Sequence, residues 1–571
     1  MKHAITASAA FAILAMSSAA PSLRAQQPDA VVYTVRAPAP ETHYLDVEAA
    51  VPTGGRATIE VMMPVWSPGY YRIEDYAAKV DEMKVRAGDG APLDVEKTQN
   101  RWRIQTRGQR SVVLSYRVFC NQRSVTTNYV DASYAVLNGA PTFITIAEQH
   151  HRPHDVHLEL PPAWPRAMTG LAEAPDRKPN HFRASDYETL VDSPILAGHL
   201  GVHEFDVAGK KHYVVSAGDV AAWDADAATR DLKTYVDEVY RFWGFLPYDK
   251  YEFLLVFRQG GGGLEHKNST LSTVSARPAT GRGDANRASE PSSAAAATPV
   301  PARQEPRMWP GIGLLSHEYF HLFNVKRLRP VELGPFDFEH PPKTGSLWIA
   351  EGVTSYYSGL LMERAGLRTR DEYLASLSSL IGGLQNAPGR LLQSVEQSSL
   401  DVWNNSNSGV NPNASTVSYY NKGNVIGLLL DARIRRATNG RRSFDDMMRL
   451  AYERYGGARG FTPDEFRATA EQIAGRDLKD WFRTAVSTTQ ELDYGDLLEW
   501  YGLRFADSEG STGRWTLQVR SDATDQQQRH LDAWLARSTR PRARHSPLRV
   551  LFGFGLGVSG VGHGAGDAPI D

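Results

Sequence analysis

The chain has 571 residues, of which 42% are hydrophobic and 22% charged, with a formal net charge of −2. That length allows about three or four domains with ample core, and the near-neutral balance gives no electrostatic ground for expecting nucleic acid or an anionic membrane as partner. A single cysteine, Cys120, excludes an intrachain disulfide and any cysteine-based metal site.

Residues 1–25 read as a signal peptide. Lys2 and His3 precede an apolar run from Ala4 to Met16, and small residues then lead to a cut after Ala25. The run is short for a bilayer span, and no later segment reaches transmembrane length. The mature chain is therefore expected to be exported, periplasmic or secreted, with no integral membrane segment. From 26 to 201 the pattern is mostly of period two, which predicts a β-rich domain. Leu45, Val47, Ala49 and Val51 alternate with polar or small residues; Trp102 with Ile104 follows the same rule, as do Val112, Leu114, Tyr116 and Val118, and then Val156, Leu158 and Leu160. A local cluster of His150, His151, His154 and His157 lacks the helical or turn frame that would fix it as a metal site.

Residues 202–505 change character. Strands are predicted at His212–Val215 and Tyr251–Arg258, with a helix between them that starts at Asp224 and ends at Gly244. Alternating strands and helices indicate a mixed domain. Within it, 277–307 is dominated by Ala, Pro, Ser, Gly and Arg and reads as a disordered insertion. Helices dominate from Trp309 to about Trp500, with start signals at Ser443 and at Thr462-Pro463-Asp464-Glu465. The tail, 506–571, is assigned to no domain; a strand is allowed at Trp515–Arg520, and an arginine-rich stretch follows.

Ser316-His317-Glu318-Tyr319-Phe320-His321 carries the chemistry. On a helix, His317 and His321 project from one face and can share a metal, while Glu318 is placed to take a proton from a water there. Ile312, Leu315, Tyr319 and Leu322 supply the apolar stripe of such a helix. One class of zinc hydrolase puts Gly three residues, and His six residues, after the second histidine; Asn324 and Arg327 exclude it. The other class takes a Glu from a following helix, and the candidates are Glu332, Glu339 and Glu351. The first two lie among Pro and Gly residues. Glu351 opens an apolar helix carrying Val353, Tyr356, Tyr357, Leu360 and Leu361, where a metal is one way to satisfy a buried carboxylate and the helix dipole another.

Two further segments bear on substrate. Gly260-Gly261-Gly262-Gly263-Leu264-Glu265-His266 follows a predicted strand; its glycines let an extended peptide approach, and Glu265 offers a fixed negative charge to a free amino group. In Ser418-Tyr419-Tyr420-Asn421-Lys422-Gly423-Asn424, a phenol can donate to an oxyanion or simply pack at the head of a helix.

Together the four segments resemble the glycyl aminopeptidase family of zinc metallopeptidases, gluzincins related to aminopeptidase N. The resemblance runs from about Val31 to Phe505 and includes Met63-Pro64-Val65-Trp66-Ser67-Pro68-Gly69, Asp192-Ser193-Pro194 and Asn324-Val325-Lys326-Arg327-Leu328-Arg329-Pro330. It implies an α+β multidomain protein: an N-terminal β-rich domain, a thermolysin-like zinc-peptidase catalytic domain and a mostly helical C-terminal part. It further implies one zinc ion held by His317, His321 and Glu351, with Glu318 as general base and Tyr420 at the transition state. Glu265, with Gly262 and Gly263 beside it, would bind the free N-terminus of a peptide whose first residue is small. Such proteins commonly end in a PDZ-like domain, and 506–571 shows no strand series to match one. Two other readings stay open: an endopeptidase using the same zinc site, and a non-enzymatic peptide-binding protein with structural zinc.

Overall fold

The computed structural model describes residues 29–221, 223–275, 308–404, 413–506 and 515–539. The segment read as a signal peptide and the 277–307 insertion lie outside them. Among the described residues, the N-terminal part consists of a seven-stranded sheet and two four-stranded sheets. Tyr44–Pro52 pairs antiparallel with Ser111–Phe119, setting Val47 opposite Tyr116 and Ala49 opposite Leu114. Each strand buries every second side chain, as an antiparallel sheet with one covered face requires. One pair in that sheet is parallel, Val31–Arg36 beside His154–Glu159. The histidine cluster is divided by the pleat. His154 is buried and shares a hydrogen bond with the Thr145 hydroxyl (2.9 Å), whereas His157 turns out and packs on His181.

The catalytic part begins with β1 (Gly201–Val207), β2 (Lys210–Gly218), α1 (Ala225–Trp243), β3 (Lys250–Phe257), β4 (Gly262–Glu265) and β5 (Ser269–Val274). The sheet order is β1-β2-β3-β5-β4, with β2, β3 and β5 parallel and β4 an antiparallel edge. The Asp224 carboxylate caps α1 by accepting from the Ala227 N–H, and Gly244 ends it at φ 85°. β3 is buried from Tyr251 to Phe257 because both its faces are covered. Leu254 and Val256 meet Tyr134 and Val136 of the N-terminal part, while Phe253, Leu255 and Phe257 face the helices.

Those helices are α2 (Ile312–Phe320), a π-helical turn (Trp348–Val353) running into α3 (Thr354–Arg364), α4 (Tyr419–Ala437), α5 (Phe444–Tyr455) and α6 (Pro463–Ala474). Both expected helix starts form, the one at Thr462 as the expected capping box with Glu465 and the one at Ser443 also as a box, with Asp446. The unassigned tail is not separate. Leu517–Val519 pairs antiparallel with Leu503–Phe505, and α7 (Asp525–Leu535) buries Leu531, Trp534 and Leu535 in the helical core. The Trp534 indole donates to the Tyr356 hydroxyl (3.1 Å), and its carbonyl accepts from Arg364 (3.0 Å). Residues 515–539 therefore close the catalytic part, and the break expected at 506 is no structural boundary.

Among the contacts that join the two parts are three made by residues lying between His321 and Glu351 in sequence. Phe338, from the catalytic part, is buried in the N-terminal core against Tyr187. Glu339, one of the three carboxylates weighed as a third ligand, is held by both arms of Arg101 (2.8 and 2.6 Å). Glu332, another, is exposed and takes a 3.4 Å hydrogen bond from Thr344. The third contact is Lys326 with Asp192, 2.6 Å apart and almost fully buried. Burial alone would raise the Asp192 pKa, but the ammonium of Lys326 and the adjacent His266 hold it well below the usual range. Asp192→Ala leaves the ammonium buried without its partner, and a loss of about 3–5 kcal/mol is expected. Guanidinium unfolding measures it, and Asp192→Ala combined with Lys326→Met should recover part of the loss; a single variant as stable as the parent would exclude the pair from the joint.

Candidate active site

α2 is short and apolar, burying Ile312, Leu315, Tyr319 and Phe320, so its orientation is fixed by core packing. His317 and His321 then lie one turn apart with their Nε2 atoms 3.0 Å from each other. The Glu351 carboxylate oxygen comes to 3.3 Å from His317 Nε2 and 3.1 Å from His321 Nε2. Among the described residues two groups of side chains have the spacing to hold a metal ion, His317–His321–Glu351 and Glu265–Glu318–His321, and the second shares His321 with the first.

The protonation of the two rings decides what this set asks for. His321 Nδ1–H donates to the Asn324 carbonyl (2.9 Å). The Ser355 hydroxyl donates to the Glu351 carbonyl (2.9 Å), which leaves its oxygen to accept from His317 Nδ1–H at 3.4 Å. Both Nε2 atoms thus present lone pairs to each other and to a carboxylate. Such a set repels itself unless a proton or a metal cation sits within it, and two nitrogens with one oxygen are the donors of an open zinc site. A proton on His321 meets the same need. Burial would lower His321, yet Glu351 and Glu265 hold it above its ordinary range; burial would raise Glu351, yet His321 and His317 hold it below.

Asn324, which the sequence marks as the wrong residue for another metal class and as the start of a family-like segment, is the joint of the site. Its buried side-chain amide donates to the Ile349 carbonyl (2.8 Å) and to the Thr354 hydroxyl (3.0 Å). One residue thereby orients the His321 ring through its backbone and fixes the π-helical turn carrying Glu351 through its side chain. On the other side, the turn rests on α4 through glycines. A Cβ on Gly352 would lie 2.4 Å from the Gly423 Cα, and one on Gly423 would lie 2.6 Å from the Trp348 carbonyl oxygen. That close approach brings Tyr420, in the first turn of α4, to within 6.1 Å of His317 between ring centres. Burial first and then Glu351 push the Tyr420 phenol up, so it is a hydrogen-bond donor at neutral pH.

Glu318 and Glu265 are both buried, and a ligand atom of each lies within 4.8 Å of one of His321. Burial is the larger influence holding both above the usual carboxylate range. Each is backed by a glycine. The Cα of Gly263, on β4, is so near Glu318 that a Cβ would stand 2.2 Å from its Oε1; Gly69, from the N-terminal part, stands in the same relation to Glu265, at 2.5 Å. Gly262 has φ 146° with open space around it, consistent with an accessible β4 edge. Every site residue expected from sequence is thus gathered at one place, and Asn324, Gly352, Gly423 and Gly69 are added to them.

Gly263→Ala isolates one of these contacts. The backbone at 263 accepts alanine, but the Glu318 side chain has to move. If Glu318 reacts with substrate, thermal stability should change by no more than a few degrees while kcat falls at least about 100-fold, the effect of displacing a reacting group by about 1 Å. Scanning calorimetry alongside steady-state hydrolysis checks it, and an alanine variant of full activity would mean Glu318 need not be where it is.

Residues 32–199 match the Peptidase M61 N-terminal domain, and residues 311–426, which span His317, His321, Glu351 and Tyr420, match the M61 glycyl aminopeptidase domain. No curated protein matches the chain. Among solved structures it is similar to the aminopeptidase N family protein from Idiomarina loihiensis, at 27% identity over 83% of this chain and 78% of that one, with a TM-score of 0.74. It also aligns with the M1 zinc metallopeptidase from Deinococcus radiodurans at 11% identity, over 82% of this chain and 95% of that one, with a TM-score of 0.47; only the first bears on the fold. With both domains matched in order along one chain, the protein belongs to the M61 glycyl aminopeptidase family of peptidases.

Proposed function

We propose that this peptidase is a zinc-dependent aminopeptidase, removing single residues from the free N-terminus of peptides. The observation that carries the reading is the position of Glu265 within 4.8 Å of both His321 and Glu318, measured between ligand atoms. In any peptide the α-amino nitrogen and the first carbonyl carbon are about 2.5 Å apart. An ammonium held on Glu265 therefore delivers the first peptide bond, and no later one, to the donor set.

His317, His321 and Glu351 are the residues that would hold one zinc ion. What zinc supplies in such a set is Lewis-acid polarisation of the carbonyl and a more acidic water. The side chains do the rest. Glu318, kept basic by burial, takes the proton of the attacking water and returns it to the leaving amine. Tyr420 donates a hydrogen bond to the carbonyl oxygen as it gains charge. The free edge of β4 at Gly262–Gly263 offers backbone groups to an extended substrate, which would run antiparallel to it with its N-terminus at Glu265. Small first residues, glycine and alanine, are the preference we assign, and the apolar segment before Ala25 adds export to the reading.

Glu318→Gln should retain zinc at one ion per chain and lose nearly all hydrolysis, read by metal analysis and turnover of glycyl and alanyl reporters. On a free peptide the parent enzyme should release residues one at a time from the N-terminus and leave the N-acetylated peptide intact. Internal fragments from a blocked peptide would make it an endopeptidase, and peptide binding without turnover in the zinc-loaded protein would make the metal structural. N-terminal sequencing of the protein recovered outside the cytoplasm should begin at Gln26; a retained Met1 would remove the export assignment.

A further inference from the structure

The N-terminal part reaches the catalytic face through one turn. In Ser67-Pro68-Gly69-Tyr70 the Tyr70 N–H donates to the Ser67 carbonyl (3.0 Å) and Gly69 has φ 90°, so Pro and Gly occupy the two central positions that a type II turn assigns them. Trp66 anchors it across the joint by donating its indole N–H to the Asp337 carbonyl (2.8 Å). Gly69 is pressed on Glu265, and Tyr71, the residue after the turn, lines a small pocket together with Glu265, Trp66, Lys326 and Phe336. The pocket has room for about one water-sized group. The Tyr71 ring is held edge-on by Trp403 (5.9 Å), which is in turn edge-on to Trp66 (5.5 Å). Among the described residues its hydroxyl has no hydrogen-bond partner. Burial first, then the charges of Glu351 and Glu265, push that hydroxyl up, as expected of a phenol between the metal-binding and amine-binding carboxylates.

We propose that Tyr71 bounds the space available to the substrate's first side chain, so that the N-terminal domain sets the size limit of the catalytic site. This rests on Glu265 as the amine anchor. With the amine there, the first Cα is one bond away, and its side chain must leave towards the walls around Glu265. Three of those walls, Trp66, Tyr71 and Phe336, are aromatic, and Trp66 packs edge-on against Phe336 and Trp403, so they reject bulk instead of yielding to it. A methyl fits the remaining space and a branched or aromatic side chain does not.

The test compares kcat/KM for glycyl, alanyl, leucyl and phenylalanyl reporters in the zinc-loaded full chain. Tyr71→Ala is expected to raise the leucyl-to-glycyl ratio at least tenfold, whereas Tyr71→Phe, equal in size, keeps the parent ranking. Trp403→Ala, which removes the ring bracing Tyr71, should move the ratio in the same direction and serves if Tyr71→Ala fails to hold zinc. Ratios within twofold of the parent in zinc-loaded Tyr71→Ala, or in Trp403→Ala in its place, would overturn the proposal. A parent enzyme inactive on all four reporters would instead remove the aminopeptidase reading, and this proposal with it.

Discussion

Two imidazole nitrogens and a carboxylate oxygen held about 3 Å from one another need a proton or a metal cation among them, and the surrounding structure limits how far they can separate. The restraint is distributed. α2 is fixed by the apolar side chains beneath it, the π-helical turn by Asn324, and the same turn from behind by glycine-to-glycine contact with α4. Each restraint is made by the chain's own backbone and side chains, so the fold itself holds the donors together.

Glycine has a different task here from the one its conformational freedom suggests. Gly263 and Gly352 do not adopt positive φ; they are small because something lies against their Cα atoms, Glu318 in one case and the helix carrying Tyr420 in the other. Gly69 combines both demands, since its turn requires φ 90° and its face touches Glu265. The N-terminal domain therefore forms part of the wall around Glu265. Its attachments by Arg101 to Glu339, Asp192 to Lys326 and Trp66 to Asp337 are what hold that turn in register with the active site.

Much of the fold was legible locally. The alternation at Leu45–Val51 and Val112–Val118, the caps of α1, and the helix starts at Ser443 and Thr462 follow from short-range rules and appear where those rules put them. Of the other two carboxylates, Glu332 takes a hydrogen bond from Thr344 and Glu339 pairs with Arg101. The tail left unassigned after 506 was illegible for a physical reason. Leu531, Trp534 and Leu535 form a stripe only three residues wide on a polar helix, and what makes it a core stripe is packing on residues far away in sequence, Tyr373 and Tyr501 among them, with the Tyr356 hydroxyl and Arg364 bonding Trp534.

The sequence by itself determined the chemistry: which residues can ligate, which carboxylate can act as a base, and which lies near enough to a glycine run to meet an amine, because residue type and helical spacing dictate these. Only the tertiary structure decided the geometry. That Asn324 couples His321 to Glu351, that Gly263 seats Glu318, and that Gly69 and Tyr71 arrive from another domain to enclose Glu265 are close approaches between segments tens to hundreds of residues apart. No local periodicity encodes them, since they follow from how whole elements pack.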